Sequence, residues 1–443
     1  MGVAPGLSDG PLAAVSGLAP TTMPAVEAEP SPVTDTATVR PVELDDLPAI
    51  WRFCSRYYDV FHGCSFDDFR AVWHHRWLDN PAARADQPKG WLLENDAADV
   101  VGFGGIVPMR IKIGAQAHTA MCGANWYVQQ AYRRHSLALF RRYRSLAAEH
   151  VVLSTSLSSA AAAVHARAML PIPVKDIDQA LWWIIDSRRF FDLKLTQLAG
   201  TSRPWALLAA AKPALGLVGM AWPALLGFVS DPQHRVLPWL ARARIAFDVP
   251  PLPVELSTGF GDEFDLFWHE HRQRYDVTME RTSAFLDWRH RQLPKAAGRA
   301  FVLACRDRGR LVGYVALQTP GTRSDRQIPG CFNVTDLVYP AERPDVLGNL
   351  MNAAFRFAVE HGGVVLKLSG FHPEVRAALA SQRPCVIEPD MLQRLARGTV
   401  GQRVFARLGR ARRTKRAAGR GSGGSYWYKN PDPALADICA GGT

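Results

Sequence analysis

The sequence has few cysteines, and none of them has the spacing that binds zinc. Only seven occur in 443 residues, they are scattered, and no two form a C-x-x-C pair. This pattern argues against a zinc site or a disulfide framework, and it predicts a protein of the reducing cytoplasm that holds no metal. A basic segment followed by an apolar run is missing near the amino terminus, so we expect no secretory signal.

Acidic residues are missing from 117–132, where the sequence leads into its most distinctive basic turn. Apolar residues up to Val128 predict a strand, and apolar residues at helical spacing after the turn predict a helix. The first amides of such a helix have no intrahelical partner, and the positive end of its dipole lies beside them. Arg133 and Arg134 stand in the turn, and two guanidinium groups suit a diphosphate.

The net charge of +11 is compatible with an anionic cofactor, nucleic acid or an acidic membrane surface as partner. Much of it lies in 403–424, which holds eight arginines or lysines and no acid. We interpret this segment as a solvated basic tail. Its single aromatic residue, Phe405, does not make a stacking surface, so we do not expect a nucleic-acid partner.

The run VQQAYRRHSLALF resembles the acyl-CoA pyrophosphate loop of the GNAT acyltransferase family. The family pattern is matched as Arg133-x-x-Ser136-x-Ala138, with Ser136 in place of the usual glycine. The resemblance implies an acyl-CoA co-substrate, acetyl-CoA or another, held by this segment. The implied contacts are Val128, Gln129, Arg133, Arg134, His135, Ser136, Leu137 and Ala138. The alternative is an exposed basic helix start without a ligand.

The same resemblance implies where the catalytic groups lie. A backbone N–H within 127–129 would polarise the thioester carbonyl, which makes Tyr127 a catalytic candidate. His165 stands where the family has its acidic tyrosine, seven residues after Ser158, although a structural histidine is the alternative. For the base, the strand offers His118, and an ordered water is the other candidate. The resemblance implies no metal.

We predict an α/β fold with a mixed α+β sheet, built as two tandem GNAT-like domains joined by an apolar helical linker. The order β-α-α-β-β-β-α-β-α-β over 40–195 matches the family. The predicted parts are a disordered arm (1–38), an acyl-CoA-binding domain (39–195), the linker (196–250), a degenerate second domain (251–395), and a basic tail with an edge strand (396–443).

The second domain is predicted from an internal repeat at an offset of about 210 to 215 residues. Trp73-x-His75-Arg76 corresponds to Trp288-x-His290-Arg291, and Gly102 to Gly313. Where the first copy has its basic turn, the second has two prolines with Glu342 and Asp345, which would repel a diphosphate. The second copy is therefore predicted to be a scaffold or an acceptor-binding half.

An apolar segment, 204–229, contains a single charged residue, Lys212. It is long enough to cross a membrane, but Pro213 and Pro223 argue against one straight helix. We expect it not to cross. Packing between domains and contact with an anionic membrane surface are the two alternatives.

These observations predict an N-acyltransferase that moves an acyl group, with acetyl expected, from a CoA thioester to an amine. The acceptor is expected to be a small molecule, such as an amino sugar or an amino acid derivative. Two alternatives stay open: an aminoacyl-tRNA-dependent transferase of the same tandem fold, and a non-catalytic CoA-binding or scaffold protein. The expected location is cytoplasmic, with the membrane surface as a peripheral contact.

Overall fold

The chain forms two mixed β-sheets with helices on their faces, which confirms the predicted α/β class. This computed structural model describes chiefly residues 36–154, 180–196, 245–321 and 329–387, with short gaps inside these ranges, and Met169. The helices are α1 (Leu47–Tyr57), α2 (Phe66–Trp77), α3 (Ser136–Ser145), α4 (Asp262–His271), α5 (Ser283–Leu286), α6 (Pro344–Glu360) and α7 (Pro373–Ala380).

The strands of the first half are β1 (Ala37–Pro41), β2 (Gly90–Asn95), β3 (Val100–Ile113), β4 (Gln116–Val128), β5 (Val151–Leu153) and β6 (Ala180–Ile184). Those of the second half are β7 (Val254–Leu256), β8 (Val277–Met279), β9 (Arg299–Asp307), β10 (Arg310–Thr319), β11 (Cys331–Val338), β12 (Val365–Ser369) and β13 (Cys385–Ile387).

In each sheet, five neighbouring strands follow one another in the order in which they occur along the chain. The first sheet runs β1-β2-β3-β4-β5, and the second runs β7-β9-β10-β11-β12-β6-β13. In each sheet only the contact between the fourth and fifth of these strands is parallel: β4 with β5, and β11 with β12. The segments that the repeat aligned therefore occupy corresponding places in two sheets.

Two strands lie in the sheet of the other half. Strand β6 is the last strand of the order predicted over 40–195, but it pairs with β12 and β13 of the second sheet instead of with a strand of the first. In the other direction, β8 pairs with the end of β3 in the first sheet. The domain boundaries stay a prediction, but sheet membership does not follow them.

Helices α1 and α2 cover one face of the first sheet because their apolar residues recur at helical spacing. In α1 these are Leu47, Ile50, Phe53 and Cys54, all buried. The side chain of Ser65 caps α2 by accepting a hydrogen bond from the N–H of Asp68 at 3.1 Å. Helix α2 ends at Trp77, with Leu78 as its C-cap residue.

A hydrophobic core joins the two halves between the sheets. It includes Trp73 and Phe103 from the first half together with Phe264, Trp288 and Tyr314 from the second. Separate cores lie on the outer faces, under α3 on the first sheet and under α6 on the second. The halves thus share buried apolar surface, which is the main source of folding free energy.

Several predictions concern segments outside the described residues. These are the arm up to residue 35, the predicted acid His165 with Ser158, the apolar segment 204–229, and the tail 396–443. Within the part of the chain that the structure describes, no helix is long and apolar enough to cross a membrane.

Candidate functional site

The strands β4 and β5 separate to form a fork in the first sheet. Their parallel pairing covers only 120–122 against 151–153. From Gly123 to Val128, β4 has no further strand partner on this side among the described residues. The fork therefore leaves one side of the end of β4 open for another group, just before the basic turn.

Tyr143 of α3 holds the point where the two strands separate. Its buried hydroxyl accepts a hydrogen bond from the N–H of Gly123 at 3.0 Å and donates to the carbonyl of Leu153. The hydroxyl of Ser154 lies 3.3 Å away. One side chain thus satisfies backbone groups of both strands, and it fixes α3 against the fork. The sequence pattern predicts Tyr143 only as one of the apolar residues at helical spacing after the basic turn.

A β-bulge in β4 decides which amides face the fork. Phe103 pairs with Tyr127 and Gly105 with Ala124, so two residues of β4 stand opposite one residue of β3. Asn125 lies in this bulge with φ +54°, in the left-handed region that asparagine tolerates better than most residues. No pattern in the sequence predicted a role for Asn125.

The bulge shifts the alternation of backbone groups by one residue. Gly123 directs its N–H towards β5, at the hydroxyl of Tyr143, whereas Gln129 donates its N–H to the carbonyl of Val101 at 2.9 Å, on the β3 side. Alternation along the strand then directs the N–H of Val128 towards the fork. Of the amides predicted in 127–129, Gln129 is occupied and Val128 is the one that faces the open side.

The bulge is packed tightly from both faces. On the α2 face, the buried guanidinium of Arg76 donates to the side-chain oxygen of Asn125 at 3.1 Å and lies over the ring of Trp73. A Cβ on Gly105 would lie 2.5 Å from the Trp73 ring, and a Cβ on Gly104 would lie 3.1 Å from that of Trp126. Glycines are needed here because both rings approach the backbone of β3.

The basic turn is helical, and it runs directly into α3. Residues Gln130–His135 form a 3-10 helix, and the N–H of Ser136 donates to the carbonyl of Arg133. The N–H of Tyr132 donates to the carbonyl of Gln129 at 2.9 Å. These two amides are therefore occupied, contrary to the expectation that the first amides of the helix are all available. Binding at the turn has to depend more on its side chains.

The side chains of the turn are largely at the surface. Arg133, Arg134 and Leu137 are exposed, and His135, Ser136 and Ala138 are half-buried. The Nε atom of Arg134 lies 3.1 Å from Nε2 of His135. Arg133 makes no ion pair within the described part of the chain. The turn therefore presents cationic groups to solvent at the end of β4.

Tyr127 and Val128 face opposite sides of the sheet. The half-buried ring of Tyr127 stacks on Tyr57 of α1 at 5.2 Å and lies 5.9 Å from Phe53. Burial raises the pKa of Tyr57, an effect that the nearby Arg56 opposes. The side chain of Val128 is buried in the core under α3. Tyr127 thus has an aromatic packing role beside its place in β4.

The structure separates the predicted base from the rest of the site. His118 is half-buried near the start of β4, ten residues before Val128. At about 3.3 Å per residue the two positions lie roughly 30 Å apart. His165, the predicted acid, lies outside the described residues. Across the described segments no cluster of histidine, cysteine or carboxylate side chains could hold a metal ion.

The corresponding turn of the second half is closed by ion pairs. Glu342 pairs with Arg274, and Arg343 pairs with Asp345 at 2.7 Å and with Asp307 at 3.1 Å. The hydrogen bond from Arg343 lowers the pKa of the Asp345 carboxyl. The charges of this turn therefore satisfy one another, whereas the first turn keeps an excess of positive charge.

Comparison with known proteins gives only distant structural similarity. No protein-family model and no curated protein match the chain. A GCN5-related N-acetyltransferase from Anabaena variabilis is 11% identical, with a TM-score of 0.45 over 77% of this chain and 68% of its own. An N-myristoyltransferase of Saccharomyces cerevisiae, solved with myristoyl-CoA and inhibitors, is 9% identical, with a TM-score of 0.49 over 82% and 80%.

A third structure, a protein of unknown function from Enterococcus faecalis described as a probable N-acyltransferase, is 9% identical. Its TM-score is 0.43, over 75% of this chain and 65% of its own. At these TM-scores and identities, the function has to be argued from the residues of this chain.

Proposed function

We propose that the first half binds an acyl-CoA thioester along the fork between β4 and β5 and transfers its acyl group to an amine. The observation that carries this proposal is the direction of the Val128 N–H, which faces the fork next to the basic turn. A backbone N–H donor followed along the chain by a cationic turn suits a ligand in which a thioester is joined to a diphosphate.

In this proposal, the N–H of Val128 donates to the thioester oxygen as negative charge develops on it. Arg133 and Arg134 neutralise the diphosphate. The amine nitrogen bonds to the carbonyl carbon, the carbon–sulfur bond breaks, the amine loses a proton and the thiolate gains one. By the family resemblance, His165 is proposed as the acid that protonates the thiolate.

The base is proposed to be an ordered water, because His118 lies too far along β4 to reach an amine beside Val128. We propose acetyl as the acyl group and a small amino sugar or amino acid derivative as the acceptor. The second half, with its turn closed by ion pairs, is proposed to bind acceptor or to act as a scaffold.

The proposal is tested by calorimetric titration of the full chain with CoA. Charge reversal of Arg133 and Arg134 to glutamate should weaken binding at least tenfold, about 1.4 kcal/mol. The matched control replaces Arg52 and Arg356 with glutamate, which reverses two charges at exposed positions on α1 and α6. Equal affinities of the two variants, or no affinity in the unaltered chain, would contradict the proposal. In the second case, a salt-sensitive complex with aminoacyl-tRNA would favour the tRNA-dependent alternative.

A further inference from the structure

The outer surface of α3 carries more positive charge than the basic turn alone. Arg141, Arg142 and Arg144 are exposed, and none of them forms an ion pair with any residue that the structure describes. We call these three side chains, with the exposed Leu137, the α3 arginine face. Leu137, Arg141 and Arg144 follow one another at helical spacing and lie along one side of the helix.

The fold does not require this face. Helix α6 occupies the corresponding place on the second sheet, and its only basic residue is Arg356. Elsewhere, some exposed arginines pair with carboxylates, as Arg70 does with Asp67 and Arg310 with Glu270, whereas isolated ones such as Arg52 and Arg356 form no such pair among the described residues. What distinguishes α3 is that its three unpaired arginines are neighbours, so they repel one another, and an anionic partner would remove that repulsion.

The α3 arginine face also extends beyond the basic turn. At 1.5 Å per residue, Arg141 lies about 8 Å and Arg144 about 12 Å along the helix from Ser136. The turn has its own cations for a diphosphate, namely Arg133 and Arg134. The face is therefore a separate, wider cationic surface.

We propose that the α3 arginine face docks the protein on a membrane surface rich in anionic phospholipid. Arginines attract acidic headgroups, and Leu137, which is 48% exposed, supplies an apolar side chain among them that can enter the headgroup region. The aromatic residues of α3, Phe140 and Tyr143, are buried, so this helix offers no stacking surface for a single-stranded nucleic acid. This charge and side-chain pattern favours lipid as the occupant.

The test is sedimentation of the full chain with vesicles of equal parts phosphatidylcholine and phosphatidylglycerol. The clustered variant replaces Arg141, Arg142 and Arg144 with glutamate. The dispersed variant replaces Arg52, Arg299 and Arg356 with glutamate. These arginines are exposed on other elements, and the dispersed variant changes the net charge by the same amount as the clustered variant. The clustered variant should lose roughly tenfold or more in vesicle partitioning, while the dispersed variant should lose much less.

The result also has to depend on headgroup charge and salt. Binding of the unaltered chain should be absent with phosphatidylcholine alone and should fall as salt is raised. Equal losses in both variants, or no vesicle binding by the unaltered chain, would overturn the proposal. The proposal would also be overturned in favour of nucleic acid if the unaltered chain bound total tRNA in a salt-sensitive way but did not bind vesicles, and if only the clustered variant lost the tRNA binding. CoA affinity is measured on the same variants, so failure of the docking proposal and failure of the proposed function are distinguishable.

Discussion

At the scale of single residues, Tyr143 and Asn125 define the geometry of the fork. The hydroxyl of Tyr143 is buried between Gly123 and Leu153, and the hydroxyl of Ser154, 3.3 Å away, donates a hydrogen bond to it. A buried backbone group that loses its partner costs about 1–3 kcal/mol. Beyond the short β4–β5 pairing, this hydroxyl is therefore a side-chain group that joins the two strands where the fork opens.

We expect Tyr143→Phe to lower the free energy of unfolding by about 1–3 kcal/mol, because the N–H of Gly123 and the carbonyl of Leu153 then lack their partner. Urea denaturation measures this change. Tyr132→Phe is the matched control, since Tyr132 is also buried beside α3 but its hydroxyl makes no hydrogen bond to any described residue. Equal losses in the two variants would show that the hydroxyl of Tyr143 does not hold the fork.

The bulge at Asn125 shows what the sequence could not predict about the site. The strand, the turn and the helix were predictable from apolar spacing and from the arginines. Which amide faces the fork depends on one extra residue in β4. The sequence could not predict this, because hydrogen-bond register is set by the pairing of strands in the folded protein. The signals that existed were an asparagine inside a strand and the pair Gly104-Gly105 opposite it.

At the scale of elements, the repeated Trp-x-His motif forms one of the contacts between the halves. Trp288 donates its indole N–H to the carbonyl of His75 at 2.8 Å, and the two rings stack at 5.0 Å. His290 is buried, and neither of its ring nitrogens has a hydrogen-bond partner. Burial lowers the pKa of His75 to about 4 and that of His290 to about 3, with nearby arginines acting in the same direction.

These lowered pKa values predict that stability decreases as the solution becomes acidic. Below the ordinary histidine pKa of 6.5, the unfolded chain binds protons that the folded chain excludes. The free energy of unfolding therefore decreases as the pH is lowered. The slope approaches about 1.4 kcal/mol per pH unit for each histidine, down to about pH 4.5, where carboxylates begin to titrate.

Replacing His290 with leucine should reduce this slope by up to about 1.4 kcal/mol per pH unit, because one of the histidines with a lowered pKa is gone. Denaturant unfolding measured across this pH range gives the slope. Phe264→Leu is the control, since it alters the same core without removing a titrating group. An unchanged slope in His290→Leu would show that His290 is protonated equally in the folded and unfolded chains.

The placement of β6 marks the limit of prediction at this scale. Its apolar run identified it as a strand, but five buried residues in a row contain no information about their neighbours. The internal repeat predicted matching elements, and the two sheets do have the same strand order. It could not predict that β6 and β8 each join the sheet of the other half, because strand partners are chosen by packing across the whole molecule.

At the scale of the whole molecule, the two halves are connected by backbone pairing as well as by the common core. Besides the β8–β3 ladder, Glu280 donates its N–H to the carbonyl of Arg110 at 2.9 Å, and the side-chain Nζ of Lys112 donates to the carbonyl of Tyr275 at 2.6 Å. Loss of either sheet would leave these groups and the core residues around Trp73 and Trp288 exposed. We therefore expect the two sheets to unfold together.

A cavity placed far from the first sheet tests this expectation. Leu350 of α6 is fully buried in the outer core of the second sheet, and Leu350→Ala should cost about 2–5 kcal/mol. If the sheets unfold together, native-state hydrogen exchange should show the same loss of protection for amides of β3 and of β10. Val359→Ala, at an exposed position of the same helix, should change neither. Loss of protection in β10 with unchanged protection in β3 would mean that the halves unfold separately, and that their common core contributes less than the outer cores.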